Sequence, residues 1–238
     1  MMKIKIKSVF VMVLLFIPIF IKSGHKETTI ESYNNSANEY YQNVVSFDTK
    51  AKVARFISYL TPGAHILDVG CGPGIDAKYF IEQGFSVTGI DLSSSMIELA
   101  RCNAQAATFY IMDIENINLP EAQFDAIWAY ASLLHIEKQN LPNILQKFKS
   151  LLKENGILYI ALKKGEGEVL TQDNRYQGDS QKFWAYYQKD ELISYLENAG
   201  FVVLECELSE ISTAYQTHPW IKVICKKKVL NPDAVETN

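Results

Sequence analysis

The chain has few residues of the types that bind metals or form disulfides. Its 238 residues include four cysteines and four histidines. Cys71, Cys102, Cys206 and Cys225 form no Cys-x-x-Cys pair and no Cys–His spacing typical of zinc sites, so we expect no metal. Their scatter is typical of reduced thiols rather than of a disulfide framework, which favours a cytoplasmic location.

The chain also lacks an excess of basic residues, internal repeats and low-complexity tracts. Its formal net charge is -4 and its sequence pI is about 5.6. Nucleic-acid-binding proteins usually present a basic face, so we expect no nucleic-acid partner. Hydrophobic residues make up 48% of the chain, which is enough apolar material for one globular core.

An uncharged apolar run occupies residues 9–21, between flanking lysines. It is shorter than the roughly 20 residues that span a bilayer, and no clean cleavage site follows it. The run predicts an N-terminal leader over residues 1–26 that is a signal peptide, a membrane anchor or an extension with no role. Membrane association through residues 9–21 and export therefore both stay open. We expect a folded domain over residues 27–228 and a tail over 229–238.

A glycine-rich turn follows the first apolar strand pattern. The strand includes Asp68 near its end and runs into Gly70, Gly72 and Gly74, and a helical pattern begins at Ile75. Glycines at alternate positions allow left-handed backbone conformations and the close approach of a ligand. The N-terminus of the following helix carries free N–H groups. This pattern predicts a small-molecule site.

The spacing of the turn disfavours a dinucleotide. The dinucleotide fingerprint Gly-x-Gly-x-x-Gly needs a third glycine where this chain has Ile75. Asp68 would repel a pyrophosphate and would favour a cationic amino acid. A nicotinamide-dependent oxidoreductase stays as the alternative from another enzyme class, and a protein that binds a cofactor without catalysis is the third.

Strand and helix patterns alternate after the turn. Further strands are predicted over residues 85–91, 108–112, 124–130 and 156–162, with helices between them. Parallel neighbouring strands need crossover helices and bury both faces, so the alternation predicts an α/β domain. Asp91 and Asp113 follow strands, as Asp68 does. Ligands bind outside the carboxyl ends of such strands, so these acids are expected to lie together.

The Asp68-x-Gly70-x-Gly72-x-Gly74 motif resembles the first motif of the class I S-adenosylmethionine-dependent methyltransferases, and the resemblance covers about residues 33–228. It implies a doubly wound, mostly parallel, seven-stranded Rossmann-like sheet with an antiparallel C-terminal hairpin, for which residues 201–208 and 220–226 are candidates. It also implies S-adenosyl-L-methionine as cofactor and methyl transfer to a small-molecule acceptor.

The resemblance also implies roles for individual residues. Asp91 would accept hydrogen bonds from the ribose hydroxyls, Asp113 would accept one from the adenine amine, and the Ile114 N–H would reach a ring nitrogen. The remaining cofactor-binding candidates are Tyr33, Asp68, Gly70, Cys71, Gly72, Gly74, Leu92 and Ala129.

Acceptor and catalytic residues carry weaker signals. Residues 30–41 resemble the Tyr-x-x-x-Ala-x-x-Tyr helix that covers the cofactor in many small-molecule methyltransferases; Tyr33 and Tyr40 would shield the sulfonium and contact the substrate, or simply pack. His135 follows the fourth strand and is either a general base or a packing residue.

Within residues 165–187, Arg175 would pair with an anionic acceptor and Trp184 would line the pocket of that acceptor. Alternatively, residues 183–187 are a β-edge or a segment before the next helix that simply packs.

Overall fold

The computed structural model describes residues 24–211 and 215–228. The predicted tail over 229–238 and the apolar run of the predicted leader lie outside these residues. The strands are β1 His65–Val69, β2 Ser86–Asp91, β3 Thr108–Ile111, β4 Phe124–Tyr130, β5 Leu152–Lys163, β6 Glu168–Gln172, β7 Gln181–Ala185, β8 Phe201–Ser209 and β9 Trp220–Lys227. The helices are α1 Gly24–Val44, α2 Thr49–Ile57, α3 Ile75–Glu82, α4 Ser94–Asn103, α5 Leu141–Leu151 and α6 Lys189–Asn198.

Seven strands form the central sheet in the order β3-β2-β1-β4-β5-β9-β8. Strands β1 to β5 run parallel to one another, and Leu67 lies opposite both Thr88 and Ile127. Strand β9 runs antiparallel to both β5 and β8. The structure thus confirms the mostly parallel sheet with an antiparallel C-terminal hairpin. The strand order reverses between β1 and β4, which opens a crevice at their carboxyl ends.

The core explains why the central strands are continuous apolar runs. The four consecutive residues 126–129 of β4 are all fully buried, so both faces of this strand are covered. The Trp128 indole lies between aromatic rings, with centroid distances of 5.0 Å to Phe56, 5.5 Å to Phe80 and 4.0 Å to Tyr159. The offset and tilted contacts of these rings add to the free energy of burying their apolar area.

The N-terminal helices differ most from the sequence-based expectation. Helix α1 begins at Gly24, so it runs across the predicted boundary between residues 26 and 27. The pattern over residues 30–41 predicts only its middle part. Helix α2 has nine residues and was not predicted; Asp48 caps it by accepting a hydrogen bond from the Ala51 N–H at 3.0 Å. Within residues 24–211 and 215–228, we find no helix both long and apolar enough to cross a membrane.

The segment after β5 forms a separate two-stranded antiparallel sheet from β6 and β7. Strand β6 is exposed along its length, whereas most of β7 is buried. Strand β7 contacts α1, where the Phe183 N–H donates to the Thr29 hydroxyl at 3.0 Å. Residues 183–185 therefore belong to a β-strand, residues 186–187 lie between it and α6, and the hairpin contacts α1.

Candidate cofactor and acceptor site

The loop after β1 has the left-handed backbone that its glycines predict. Gly70 has φ +68° and Gly72 has φ +51°. A Cβ atom on Gly70 would lie 2.3 Å from the Ser132 Cβ, so the loop approaches the turn after β4 more closely than any other residue type allows. The Gly70 and Cys71 N–H groups both donate to the Ile90 carbonyl, at 2.8 and 3.0 Å. The loop is thereby fixed to the end of β2.

Asp91 connects the loops after β1 and β2. Its Oδ2 accepts a hydrogen bond from the Gly72 N–H at 3.0 Å, and its Oδ1 accepts one from the Ser93 N–H at 2.8 Å. Burial raises the pKa of this carboxyl, while the bonds from Ser93 and Gly72 act in the opposite direction. The side chain lines a cavity and still has free lone pairs, as the binding of ribose hydroxyls requires.

Asp113 lines the same cavity and contacts helix α1. Its Oδ2 accepts a hydrogen bond from the Lys26 ammonium at 2.9 Å, and Lys26 also forms an ion pair with Glu115. Burial raises the pKa of Asp113, but the Glu115 N–H and the Lys26 charge lower it below its usual value. The sequence pattern predicts only a flanking charge of the leader at Lys26, whereas the structure shows that Lys26 connects α1 to Asp113 and Glu115.

Asp68 is buried at the end of β1 with an unused oxygen. The residue is 2% exposed, and its Oδ2 has no hydrogen-bond partner among the described residues. Burial raises the pKa of this carboxyl, and the charges of Asp76 and Asp91 raise it further. An unpaired buried carboxylate is costly, so this position fits a ligand that brings a positive charge or an N–H donor. The Ser132 hydroxyl, also without a partner in the described part of the chain, is a second such group.

Most of the predicted cofactor-binding residues line one cavity, which we call the first cavity. They are Tyr33, Gly70, Gly72, Asp91, Leu92, Asp113 and Ile114. Asp68 and Cys71 line an adjoining second cavity of about 520 Å³. Gly74 and Ala129 line neither cavity. Gly74 packs against α4, where an added Cβ would lie 2.9 Å from the Ala100 Cα, and Ala129 is fully buried in β4.

The second cavity brings together the residues predicted to contact an acceptor. Tyr40, Arg175 and Trp184 all line it, although 135 residues separate Tyr40 from Arg175. Tyr33, Tyr40, Gly70, Gly72, Tyr130, Ala131 and His135 line both cavities. The two spaces therefore adjoin along the glycine-rich loop and the turn after β4, which is the arrangement needed for a group to pass between two ligands.

His135 has both ring nitrogens in hydrogen bonds. Its Nδ1 lies 2.7 Å from the Phe183 carbonyl oxygen, so Nδ1 carries the proton, and its Nε2 accepts a hydrogen bond from the Tyr33 hydroxyl at 2.8 Å. Burial lowers the pKa of this imidazole to about 3, and the positive charges of Lys182, Lys163 and Arg175 contribute. The predicted general base is thus a neutral ring that holds Tyr33, and any base function would have to pass through the Tyr33 hydroxyl.

Three cations gather beside Trp184, of which only Arg175 was predicted from the sequence. Arg175 donates to both oxygens of Asp173 at 2.7 Å, and the fully buried Lys182 donates to the same carboxylate at 3.0 Å. Lys163 lies with its Nζ 3.4 Å from the centre of the Trp184 ring. A signal for Lys163 existed, because this lysine directly follows the apolar run of β5 at the carboxyl edge of the sheet.

The parallel sheet, the glycine-rich loop after β1 and the acids at the strand ends define a Rossmann-like α/β protein with a cofactor site. Residues 38–206 match the model of the family described as methyltransferase domain. The chain belongs to this family, which confirms the resemblance that the motif after β1 indicates.

Known relatives cover only part of this chain. Residues of the chain are 38% identical over 96 positions to a malonyl-[acyl-carrier protein] O-methyltransferase of Enterobacter lignolyticus (strain SCF1), across 40% of this chain and 37% of that protein. An O-methyltransferase of Pyrenophora dematioidea is 31% identical over 160 residues, across 61% of this chain and 57% of that protein. The chain thus spans less than two thirds of the length of these relatives.

Solved structures with the same fold carry different activities. The 1,6-didemethyltoxoflavin-N1-methyltransferase of Burkholderia thailandensis superposes with a TM-score of 0.69 at 20% identity, over 85% of this chain and 88% of that one. The [4+2]-cyclase SpnF superposes with a TM-score of 0.65 at 18% identity, over 87% of this chain and 97% of that one. At these identities the similarity shows the fold alone, so the reaction has to be argued from the site.

Proposed function

We propose that this protein transfers a methyl group from S-adenosyl-L-methionine to a small-molecule acceptor. The observation that carries the proposal is the unpartnered Asp68 oxygen, buried beside the glycine-rich loop where two cavities adjoin. A cofactor with an amino-acid end brings an ammonium group to this region. Family membership supports the same activity.

The residues of the first cavity fit the other parts of this cofactor. The two oxygens of Asp91 are positioned by backbone N–H groups and accept the ribose hydroxyls. Asp113 and Ile114 line the same cavity and would bind the adenine ring. The Lys26 ammonium donates a hydrogen bond to Asp113 in this structure. The exocyclic amine of adenine would therefore have to share Asp113 with Lys26 or displace it.

The cofactor supplies an activated methyl group on a sulfonium, so the protein mainly has to align the acceptor and exclude water. Alignment falls to the second cavity, whose size is suited to a small ligand. Water exclusion falls to α1, which Lys26 and the contact between Thr29 and β7 hold over the site. Tyr33 and Tyr40 present aromatic rings from this helix to both cavities, as a sulfonium favours.

The Tyr33–His135 pair is our candidate for the catalytic group. Burial raises the pKa of Tyr33 well above its usual value, so its hydroxyl stays protonated and donates to His135. The Tyr33 oxygen retains lone pairs that can accept a hydrogen bond from an acceptor hydroxyl or amine. We propose that the pair orients the acceptor's nucleophilic atom, and that His135 acts through Tyr33.

Binding experiments separate this function from a nicotinamide-dependent oxidoreductase. Ligand at a hundredfold excess over its Kd stabilises the native state by about 2.7 kcal/mol, which for a chain of this size raises Tm by roughly 5 to 10 °C. We expect this shift with S-adenosylmethionine or S-adenosylhomocysteine and none with NADH or NADPH. A shift with NADH alone would refute the proposal. Cofactor binding without turnover of any acceptor in a metabolite extract would favour the non-catalytic alternative.

We propose that the enzyme works on the cytoplasmic side without a nucleic-acid partner. The cofactor requirement and the four cysteines without a disulfide among the described residues support the location. Residues 9–21, outside the described part, would then serve as an anchor or have no role. Cell fractionation and the mass of the mature chain test this, and a mature product that begins near residue 24 in an exported fraction would contradict it.

A further inference from the structure

Lys163 is a buried lysine at the carboxyl end of β5, and no residue in the described part of the chain is its counter-ion. Its residue exposure is 4%, and it lines the second cavity. Its Nζ rests on the face of Trp184, 3.4 Å from the ring centre. Within residues 24–211 and 215–228, no hydrogen bond or ion pair engages its ammonium group.

The neighbouring carboxylate is already committed to two other cations. Asp173 accepts two hydrogen bonds from the Arg175 guanidinium and one from Lys182, and against the opposing effect of burial these cations lower its pKa to about 2. Lys52, on another wall, is paired with Asp76. The wall around Trp184 therefore has more positive than negative charge.

This excess of positive charge around Trp184 would favour a bound anion at that wall. Charged groups are rarely buried without a partner because the loss of hydration is costly. Burial and the charge of the nearby Arg175 together lower the pKa of Lys163 to about 7, while the charge of Asp173 opposes the change. A bound anion would repay part of this cost. The bidentate face of Arg175 is occupied by Asp173, so the free donor is Lys163.

We propose that Lys163 binds a carboxylate of the methyl acceptor, so that the substrates of this enzyme are small organic acids. This inference rests on the proposed function and specifies its substrate class. Trp184 lies beneath the ammonium group, and Tyr130 and Trp220, whose rings stack at a centroid distance of 5.4 Å, also line the cavity. These aromatic side chains provide apolar surface for the body of the acid.

The pH dependence of binding follows from the groups that face Lys163. Above pH 7 Lys163 loses its proton, and its attraction for a carboxylate is lost with it. Burial lowers the pKa values of both nearby histidines below the usual value, so they stay neutral in this range. The charged and titratable groups around Lys163 are Asp173 and Arg175 from the loop between β6 and β7, Lys182 from β7, His135 from the turn after β4, and His218 from the turn before β9.

Calorimetric titration of the full chain, saturated with S-adenosylhomocysteine, tests the proposal. The probes are benzoate, 3-phenylpropionate and malonate, with benzamide as the neutral analogue of benzoate. We expect at least one carboxylate to bind at pH 6, about tenfold or more tighter than benzamide, and about tenfold or more weaker at pH 8.5. K163M should lose this preference. K163R should keep it and should bind equally at both pH values, because arginine stays charged.

K164M is the matched control, because Lys164 follows directly in sequence and does not line the cavity. It should bind like the wild type. The proposal is overturned if no carboxylate binds, if benzamide binds as tightly as benzoate, if K163M binds like the wild type, or if affinity rises with pH. The initial titration with S-adenosylhomocysteine is independent: its failure would refute the proposed function, whereas cofactor binding without carboxylate binding would refute the role of Lys163 alone. Unchanged cofactor affinity in K163M shows that the variant is folded.

Discussion

Acidification should destabilise this protein through His135. The ring is neutral in the folded state because burial lowers its pKa to about 3, against the opposing effect of its hydrogen bond to the Phe183 carbonyl. In the unfolded chain an ordinary histidine has a pKa of about 6.5. Between these two values the unfolded state binds the proton and the folded state does not, so the free energy of unfolding decreases as the pH falls below 6.5.

The size of this effect follows from the width of the pH window. Each pH unit below 6.5 removes up to about 1.4 kcal/mol, so His135 alone would cost about 2 kcal/mol at pH 5. Other groups titrate as well, and Asp173, whose pKa is about 2, still has its ion pairs at pH 5. The contribution of His135 is therefore best isolated by comparison with a variant that cannot titrate.

Urea unfolding of wild type and H135Q at pH 7, 6 and 5 measures this contribution. H135Q should be less stable than the wild type at pH 7, since it disturbs the contacts to Tyr33 and Phe183, but its stability should fall less steeply towards pH 5. H218Q is the control, because the partly exposed His218 lies at a turn and its loss should keep most of the wild-type slope. Parallel slopes for wild type and H135Q would show that His135 is not held neutral, and would refute the reasoning.

Two substitutions in the first motif should have separable effects. Asp68→Asn keeps the shape but removes the charge that faces the cofactor's ammonium group, so S-adenosylhomocysteine should bind about tenfold or more weakly in calorimetry with little loss of Tm; unchanged affinity would contradict the assignment. Gly70→Ala should cost about 2 to 4 kcal/mol, since its Cβ would lie 2.3 Å from that of Ser132 in a left-handed backbone. Gly63→Ala, with the same sign of φ but open space around it, should cost only about 1 kcal/mol in the same unfolding assay.

The sheet and the glycine-rich loop could be predicted because their signals are local. Each central strand is a short apolar run, and burial of both faces of the sheet requires this composition wherever the strand lies. The positive φ angles of Gly70 and Gly72 follow from a loop only a few residues long between β1 and α3. Asp68, Asp91 and Asp113 lie near strand ends, so the parallel sheet brings them to one edge.

Short and irregular elements were harder to predict. Helix α2 has nine residues and depends on packing through Val53 and Phe56, which are fully buried, more than on its own helical preference. The start of α1 was missed because its first residues adjoin the apolar run, where lysines are typical of a leader. Lys26, in the first turns of this helix, contacts Asp113, which lies 87 positions later in the sequence. A local sequence pattern does not contain this contact.

The sequence by itself determined the family, the order of the strands along the chain and the acids of the first cavity, since these depend on composition and spacing within about ten residues. The tertiary structure decided how the charges are distributed. It tied Arg175 to Asp173, placed His135 between Tyr33 and Phe183, and placed Lys163 on the ring of Trp184 with no counter-ion among the described residues. These relations set the pKa values and the selectivity of the second cavity. They join residues far apart in sequence, and the strength of each depends on distance and burial, which only the folded chain defines.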